Sequence, residues 1–146
     1  MVKDDLHPSS VYFTIDFEDF TYDLCKFLGA SKTPKLRNKS LLKCIYNIQE
    51  LLDYHKQNNK KITFFCTGIV ADRYPEIVKL IAEQGHEIAC HGNTHNNING
   101  MSAENVYTSL KVAKDKLSEI AKTEVKGFRA PNFSIDKYDF ERLYLY

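Results

Sequence analysis

Apolar and polar positions follow one another along this chain in blocks that predict strands and helices in turn. The most regular block runs from Lys61 to His95. Two apolar runs rich in β-branched and aromatic residues, at 62–66 and 87–90, flank an amphipathic segment of helical period. This pattern predicts a βαβ unit, which brings the residues after its second strand, His91 and His95, to the carboxyl edge of a parallel sheet.

The same reasoning assigns the rest of the chain. Elements are predicted, in chain order, as a strand over 10–15, a loop over 20–38, a helix from Ser40 to about Gln57, a helix beginning near Pro75 and ended by Gly85, a helix from Ser102, and a strand over 125–128. Strands that alternate with amphipathic helices are typical of a parallel sheet covered by helices. The predicted fold class is therefore α/β, with about four parallel strands.

Polar residues stand at the carboxyl ends of three of these strands: Asp16, Glu18 and Asp19, then His91 and His95, then Arg129. In a parallel α/β sheet such ends lie along one edge, so residues distant in sequence are expected to converge there. Closely packed carboxylates repel one another unless a cation or an arginine compensates them. The convergence therefore indicates a functional site at this edge.

Two histidines and one carboxylate match the ligand set of an open catalytic zinc site. A bound divalent ion would polarise a carbonyl oxygen and lower the pKa of bound water to about 7, which suits hydrolysis of an amide or ester. A second carboxylate outside the ligand set could act as general base, and Arg129 could pair with it and keep it ionised. The predicted chemistry is metal-assisted hydrolysis.

Composition narrows the classes of partner. With 146 residues and 43% hydrophobic residues, the chain can form one domain with a sizeable core. A net charge of +1 gives no electrostatic footprint for nucleic acid or an anionic membrane. No apolar run has the length of a signal sequence or a membrane span, so a cytoplasmic location is expected. The cysteines lack paired spacing and are expected to remain thiols there: Cys25, Cys44, Cys66 and Cys90.

Three ordered motifs resemble those of the polysaccharide deacetylase family, the NodB homology domain of carbohydrate esterase family 4. They are TIDFEDF at 14–20, a D-x-E-D variant of the first motif, HGNTH at 91–95, and RAPNFS at 129–134. The run from Thr63 to His95 also resembles the second and third barrel strands of the family throughout, so the resemblance covers nearly the whole chain. It implies a partial (β/α) barrel and a metal-dependent N-deacetylase that acts on N-acetylated amino sugars of an oligo- or polysaccharide.

The resemblance also implies roles for single residues. Asp16 would be the general base, oriented by Arg129, and His91 and His95 would bind zinc or a similar divalent ion. The third ligand would be a carboxylate of the first motif, either Glu18 or Asp19. We favour Glu18, because alternation along a strand places residues 16 and 18 on the same side.

Residues 131–133 would face the substrate by the same resemblance. A backbone N–H just after Pro131 would help to bind the oxyanion. Asn132 stands where an aromatic residue is common in the family, and Phe133 follows it. Pro131, Asn132 and Phe133 are therefore the predicted substrate-binding residues.

In the family that the chain resembles, further strands follow the point that corresponds to Tyr146. One bears an acid that supports the arginine, and another bears a histidine that protonates the leaving amine. Neither His7 nor His55 is well placed for that second role. We therefore expect residues 1–146 to be the N-terminal part of such a domain, truncated after Tyr146.

Two further functions stay open at this point. Hydrolysis of a small linear or cyclic amide would use the same metal chemistry. A non-catalytic metal- or sugar-binding remnant would need a partner chain, or another copy of itself in a homo-oligomer, to complete the sheet. The missing general acid favours this last alternative.

Overall fold

A computed structural model describes residues 11–19 and 47–135 of the protein. In chain order its elements are strand β1 (Thr14–Phe17), helix α1 (47–57), strand β2 (Thr63–Cys66), helix α2 (Gly68–Arg73), helix α3 (Pro75–Glu83), strand β3 (Glu87–Cys90), helix α4 (Ala103–Ala121) and a 3-10 turn (Pro131–Phe133). This order confirms the predicted α/β class.

The strands form a parallel sheet in the order β1-β2-β3. Asp16 is the register partner of Phe65, and Phe65 is in turn the partner of Ala89. Side chains of register partners point to the same side of the sheet, so these three residues share one face. The opposite face carries Phe17 and Cys66 and turns toward the helices.

The predicted fourth strand, 125–128, is only partly present. Phe128 forms a single parallel bridge with Cys90, which donates its N–H to the carbonyl of Gly127 and accepts from the N–H of Arg129. The segment therefore runs beside β3 without a continuous ladder. The part of the chain that the structure describes contains three strands and this one bridge, rather than four strands.

Strand β1 begins at Thr14, later than the predicted strand over 10–15. Val11, Tyr12 and Phe13 are exposed, so their apolar character does not reflect burial. Pairing with β2 sets the strand instead, since the register begins at Thr14. Asp16 consequently lies within the strand rather than after its end.

The core lies between the sheet and the helices. Helix α4 packs against β3 and against both α2 and α3. Its apolar residues recur at helical spacing and form one buried stripe, as the sequence pattern predicts. The core side chains that are almost wholly buried include Leu52, Phe64, Cys66, Val78, Ile81, Ile88, Cys90, Leu110 and Leu117.

The helix boundaries predicted at Gln57, Pro75, Gly85 and Ser102 are present, and one helix is unpredicted. Ser102 caps α4 by accepting from the N–H of Asn105, and Gly85, with φ of 79°, follows α3. The unpredicted helix is α2, which begins directly after β2 with Thr67 as its N-cap. The predicted cap at Ser40 and the loop at 20–38 lie outside the described residues.

No helix of the described residues is both long enough and apolar enough to cross a membrane.

Candidate functional site

The predicted site residues that lie within the described chain gather at the carboxyl edge of the sheet. Phe17 is buried on the helix side, so alternation turns its neighbours Asp16 and Glu18 to the opposite face. His91 directly follows β3, and Arg129 directly follows the bridge at Phe128. The ends of β1 and β3, which flank β2, and the segment bridged to β3 therefore supply the site.

Glu18, His91 and His95 form a group that could hold a metal ion. Each offers one ligand atom, and these atoms all lie within 4.8 Å of one another. Glu18 Oε2 lies 2.6 Å from His95 Nε2 and 3.8 Å from His91 Nε2. Among the residues described, this is the one group of three or more His, Cys, Asp or Glu side chains whose ligand atoms lie close enough together to share a metal ion.

The orientation of the His91 ring is set by its Nδ1 atom, which lies 2.8 Å from the backbone carbonyl oxygen of Arg129. A carbonyl only accepts hydrogen bonds, so Nδ1 carries the proton and the lone pair of the neutral ring is on Nε2. That lone pair faces Glu18 Oε2 at 3.8 Å and Asp16 Oδ2 at 3.9 Å. The lone pair of Nε2 and the carboxylate oxygens repel one another, and a cation between them would remove this repulsion. The donor set of two imidazoles and a carboxylate fits zinc.

Arg129 is held beside the group by three contacts. Its Nη1 donates to Asp16 Oδ1 at 2.6 Å, and its Nη2 donates to Thr14 Oγ1 at 2.8 Å. Its guanidinium carbon lies 4.0 Å from the centre of the Phe65 ring. The structure thus contains the expected pair of Asp16 and Arg129, and two β-strand neighbours restrict the arginine further.

Asp19, the alternative ligand, lies apart from the group of three. Its side chain is 2% exposed, and its Oδ2 lies 2.8 Å from Arg73 Nη1. The choice between Glu18 and Asp19 as ligand stays a prediction. In this conformation, however, only Glu18 of the two acids is part of the group with His91 and His95.

The segment predicted to bind substrate is attached to the loop that carries the histidines. Asn132 Nδ2 donates to Asn97 Oδ1 at 2.8 Å, and Ser134 Oγ accepts from the N–H of Ile98 at 3.0 Å. Pro131 is buried, whereas Phe133 is 81% exposed. The role of residues 131–133 in substrate binding stays a prediction.

The other reactive side chains of the described residues lie elsewhere. Cys66 and Cys90 are buried free thiols on the helix side of the sheet, and burial raises the pKa of Cys90 to about 11. His86 precedes β3, and the N–H of Ile62 donates to its Nδ1 at 3.2 Å. The ring of His55 packs near His86 at the amino ends of the strands, which is the edge opposite the site.

Three residues at the site were not predicted: Thr14, Phe65 and Arg73. Thr14 and Phe65 show no chemical signal in sequence, because their contacts with Arg129 depend on strand register. Arg73 lies in the unpredicted helix α2. The signal for that helix was present, since Thr67 is a suitable N-cap.

Comparison with known proteins gives the family. The sequence pattern of the family named Polysaccharide deacetylase matches residues 45–142. The peptidoglycan-N-acetylglucosamine deacetylase of Bacillus cereus is 34% identical over 82 residues, which are 56% of this chain and 30% of that protein. Chitin deacetylase 1 of Saccharomyces cerevisiae is 31% identical over 81 residues, which are 56% of this chain and 27% of that protein.

A solved structure from Mycobacterium smegmatis, described as that of a polysaccharide deacetylase, is similar with a TM-score of 0.72 and 26% identity. The similarity covers 94% of this chain and 49% of the other. This confirms the predicted fold type. The chain spans about a third or less of the curated relatives it matches. Since the family match covers more than half of its residues, the chain belongs to the polysaccharide deacetylase family.

Proposed function

We propose that this protein is a metal-dependent hydrolase that removes N-acetyl groups from the amino sugars of a polysaccharide. One observation supports this most: a group of metal-binding character lies beside a carboxylate that is paired with an arginine. His91 joins the two parts, since its Nε2 lies within 3.9 Å of both Asp16 and Glu18. The relatives named above are, by name, deacetylases of peptidoglycan and chitin.

Glu18, His91 and His95 would hold the ion. When bound there, a divalent cation would polarise the amide carbonyl of an N-acetyl group and make a bound water more acidic. The hydrogen bond from His91 Nδ1 to the Arg129 carbonyl keeps the lone pair of Nε2 directed at this position. A zinc ion suits two nitrogen donors and one oxygen donor.

Asp16 would act as the general base. Its Oδ1 is engaged by Arg129, and its Oδ2 lies on the side of His91, where the attacking water would be. The ion pair fixes the plane of the carboxylate, so Oδ2 can take the proton of the water as its oxygen attacks the carbonyl carbon. The contacts of Arg129 with Thr14 and Phe65 maintain that orientation.

The substrate would approach over residues 131–133. The backbone N–H of Asn132, which follows Pro131, would donate to the oxygen on which negative charge develops. The exposed ring of Phe133 offers an apolar face to a sugar ring. These contacts would hold the acetamido group beside Asp16.

A second candidate function is metal or sugar binding without turnover. Release of the amine requires a proton donor. The described residues contain two other histidines, His55 and His86, and both lie beside the amino ends of the strands. Within the part of the chain that the structure describes, neither of these two histidines lies at the site, and this is the observation that supports the second candidate.

Zinc binding and acetate release by the purified chain test the proposal. We expect the chain to bind about one zinc ion, and we expect His95→Ala to abolish that binding. Asp16→Asn should retain zinc and lose acetate release from N-acetylglucosamine oligomers, because it removes the base without removing a ligand. Isothermal titration and an acetate assay provide the two measurements.

Asp115→Asn is a suitable control, since it removes an exposed carboxylate whose partner is Lys111 on the same helix. It should bind zinc like the unmodified chain. Zinc binding without acetate release in the unmodified chain would favour the second candidate function. Full zinc occupancy in His95→Ala would contradict the assignment of the site.

A further inference from the structure

The ion pair between Asp19 and Arg73 lies next to the candidate metal ligands but outside their group. Asp19 Oδ2 is 2.8 Å from Arg73 Nη1, and the two residues are 54 positions apart. The Asp19 side chain is 2% exposed and that of Arg73 is 25% exposed. A carboxylate buried to this degree requires a compensating charge, so the pair constrains the backbone on both sides.

Helix α2 connects this pair with the other ligands. At its amino end, Gly68 and Ile69 donate their N–H groups to the carbonyls of Gly92 and Asn93, both at 2.9 Å. These carbonyls belong to the loop that carries His91 and His95. The N–H of the cap residue Thr67 donates to the carbonyl of Phe17, at the end of β1.

The carboxyl end of α2 completes the connection. Arg73 is its last residue and reaches Asp19, which directly follows Glu18. One short helix thus fixes the end of β1 at two points and the histidine loop at two others. The distance between the carboxylate of Glu18 and the two imidazoles depends on all four of these contacts.

We propose that Asp19 and Arg73 are positioning residues for the metal centre: their ion pair holds the end of β1 so that Glu18 faces His91 and His95. This proposal rests on the proposed function, because it assumes that Glu18 and the histidines bind the ion. It assigns the two acids of the D-x-E-D motif separate tasks. Glu18 is the ligand, and Asp19 anchors the segment that carries it.

A double-mutant cycle on zinc affinity tests the proposal. Asp19→Asn and Arg73→Gln should each weaken zinc binding by about 10–100-fold, the range found when groups that support a metal ligand are removed. The double variant should bind zinc no more weakly than either single variant, because both changes break the same contact. Arg73→Lys, which keeps the charge, should restore most of the affinity.

Asp72→Asn is the matched control. Asp72 precedes Arg73 on the same helix and forms an exposed ion pair with Lys116 at 2.7 Å. Its removal should leave zinc affinity unchanged. All affinities are to be measured well below the melting temperature of each variant, so that loss of folded protein does not appear as loss of binding. The absorption spectrum of the Co²⁺ form adds a readout of ligand geometry.

The outcomes separate three cases. Weak binding in Asp19→Asn with normal binding in Arg73→Gln would overturn the proposal, since it would make Asp19 a ligand. Normal binding in both variants would also overturn it. If the unmodified chain binds no zinc, the proposed function itself fails and this proposal fails with it.

Discussion

A methyl group added at Gly68 would test how tightly helix α2 and the histidine loop are packed. A Cβ atom at this position would overlap Asn93 Oδ1 and would lie 3.1 Å from Asn93 Cα. The first contact can be relieved by turning the Asn93 side chain. The second involves backbone, so the loop that carries His91 and His95 must shift by a few tenths of an ångström.

The expected magnitude follows from these two contacts. Turning the Asn93 side chain away from its preferred rotamer costs about 0.5–1.5 kcal/mol, and overpacking of this kind costs about 1–3 kcal/mol in all. Replacing glycine by alanine in an unstrained position would instead stabilise the fold by about 0.4–1 kcal/mol. We therefore expect Gly68→Ala to lower the free energy of unfolding by about 1–2 kcal/mol.

Thermal and urea unfolding of three variants measure this effect. A loss of that size should lower the melting temperature by about 2–8 °C in a chain of this length. Asn93→Ala removes the Oδ1 atom, which has no hydrogen-bond partner among the described residues, and should restore at least half of the loss in the double variant. The reasoning is refuted if Gly68→Ala is more stable than the unmodified chain, or if the double variant is as unstable as Gly68→Ala alone.

Two further predictions concern buried titratable groups. Burial, and then the nearby charges of Lys61 and His55, lower the pKa of His86 below its usual value of 6.5. The unfolded chain therefore binds a proton at His86 more readily than the folded chain does, so the free energy of unfolding decreases as the pH falls below about 6.5. Urea unfolding between about pH 5.5 and 7.5 should show a smaller dependence of this free energy on pH in His86→Gln than in the unmodified chain. Equal dependences on pH would contradict the assignment. Burial also raises the pKa values of the Cys66 and Cys90 thiols, that of Cys90 to about 11. Peptide mapping after iodoacetamide treatment at pH 8 should find both unmodified in the folded chain and modified in urea, and rapid labelling of either in the folded chain would show that it is accessible.

Hydrophobic periodicity predicted the regular elements correctly where side-chain burial decides the structure. Strand β3 and helix α4 lie where the apolar pattern places them, because each buries one stripe or face against the core. The three motifs also meet at one edge, as parallel topology requires. Topology placed Arg129 at the same edge as the carboxylates of the first motif, 113 residues away from Asp16, and the family resemblance named Asp16 as its partner.

The pattern failed where tertiary contacts decide the structure. The apolar residues at 11–13 suggested a buried strand, yet they are exposed, and the register with β2 starts the strand at Thr14. Helix α2 has only six residues, too few for a helical period to be recognised beside the apolar strand that precedes it. Arg73 was missed with it. Its importance depends on a partner far away in sequence, which periodicity cannot show.

His91 joins the two parts of the site. Its Nδ1 is bonded to the carbonyl of Arg129, the residue that holds Asp16, while its Nε2 faces the carboxylates of both Asp16 and Glu18. A shift of the Arg129 backbone would therefore turn the imidazole, and a shift of the imidazole would change the position available to the ion. Under the proposed function, metal binding and the orientation of the base would therefore be coupled through the His91 ring. If the proposed roles hold, a shift of the Arg129 backbone should disturb both the ligand group and Asp16, whereas loss of the Asp19 side chain should disturb the ligand group through Glu18.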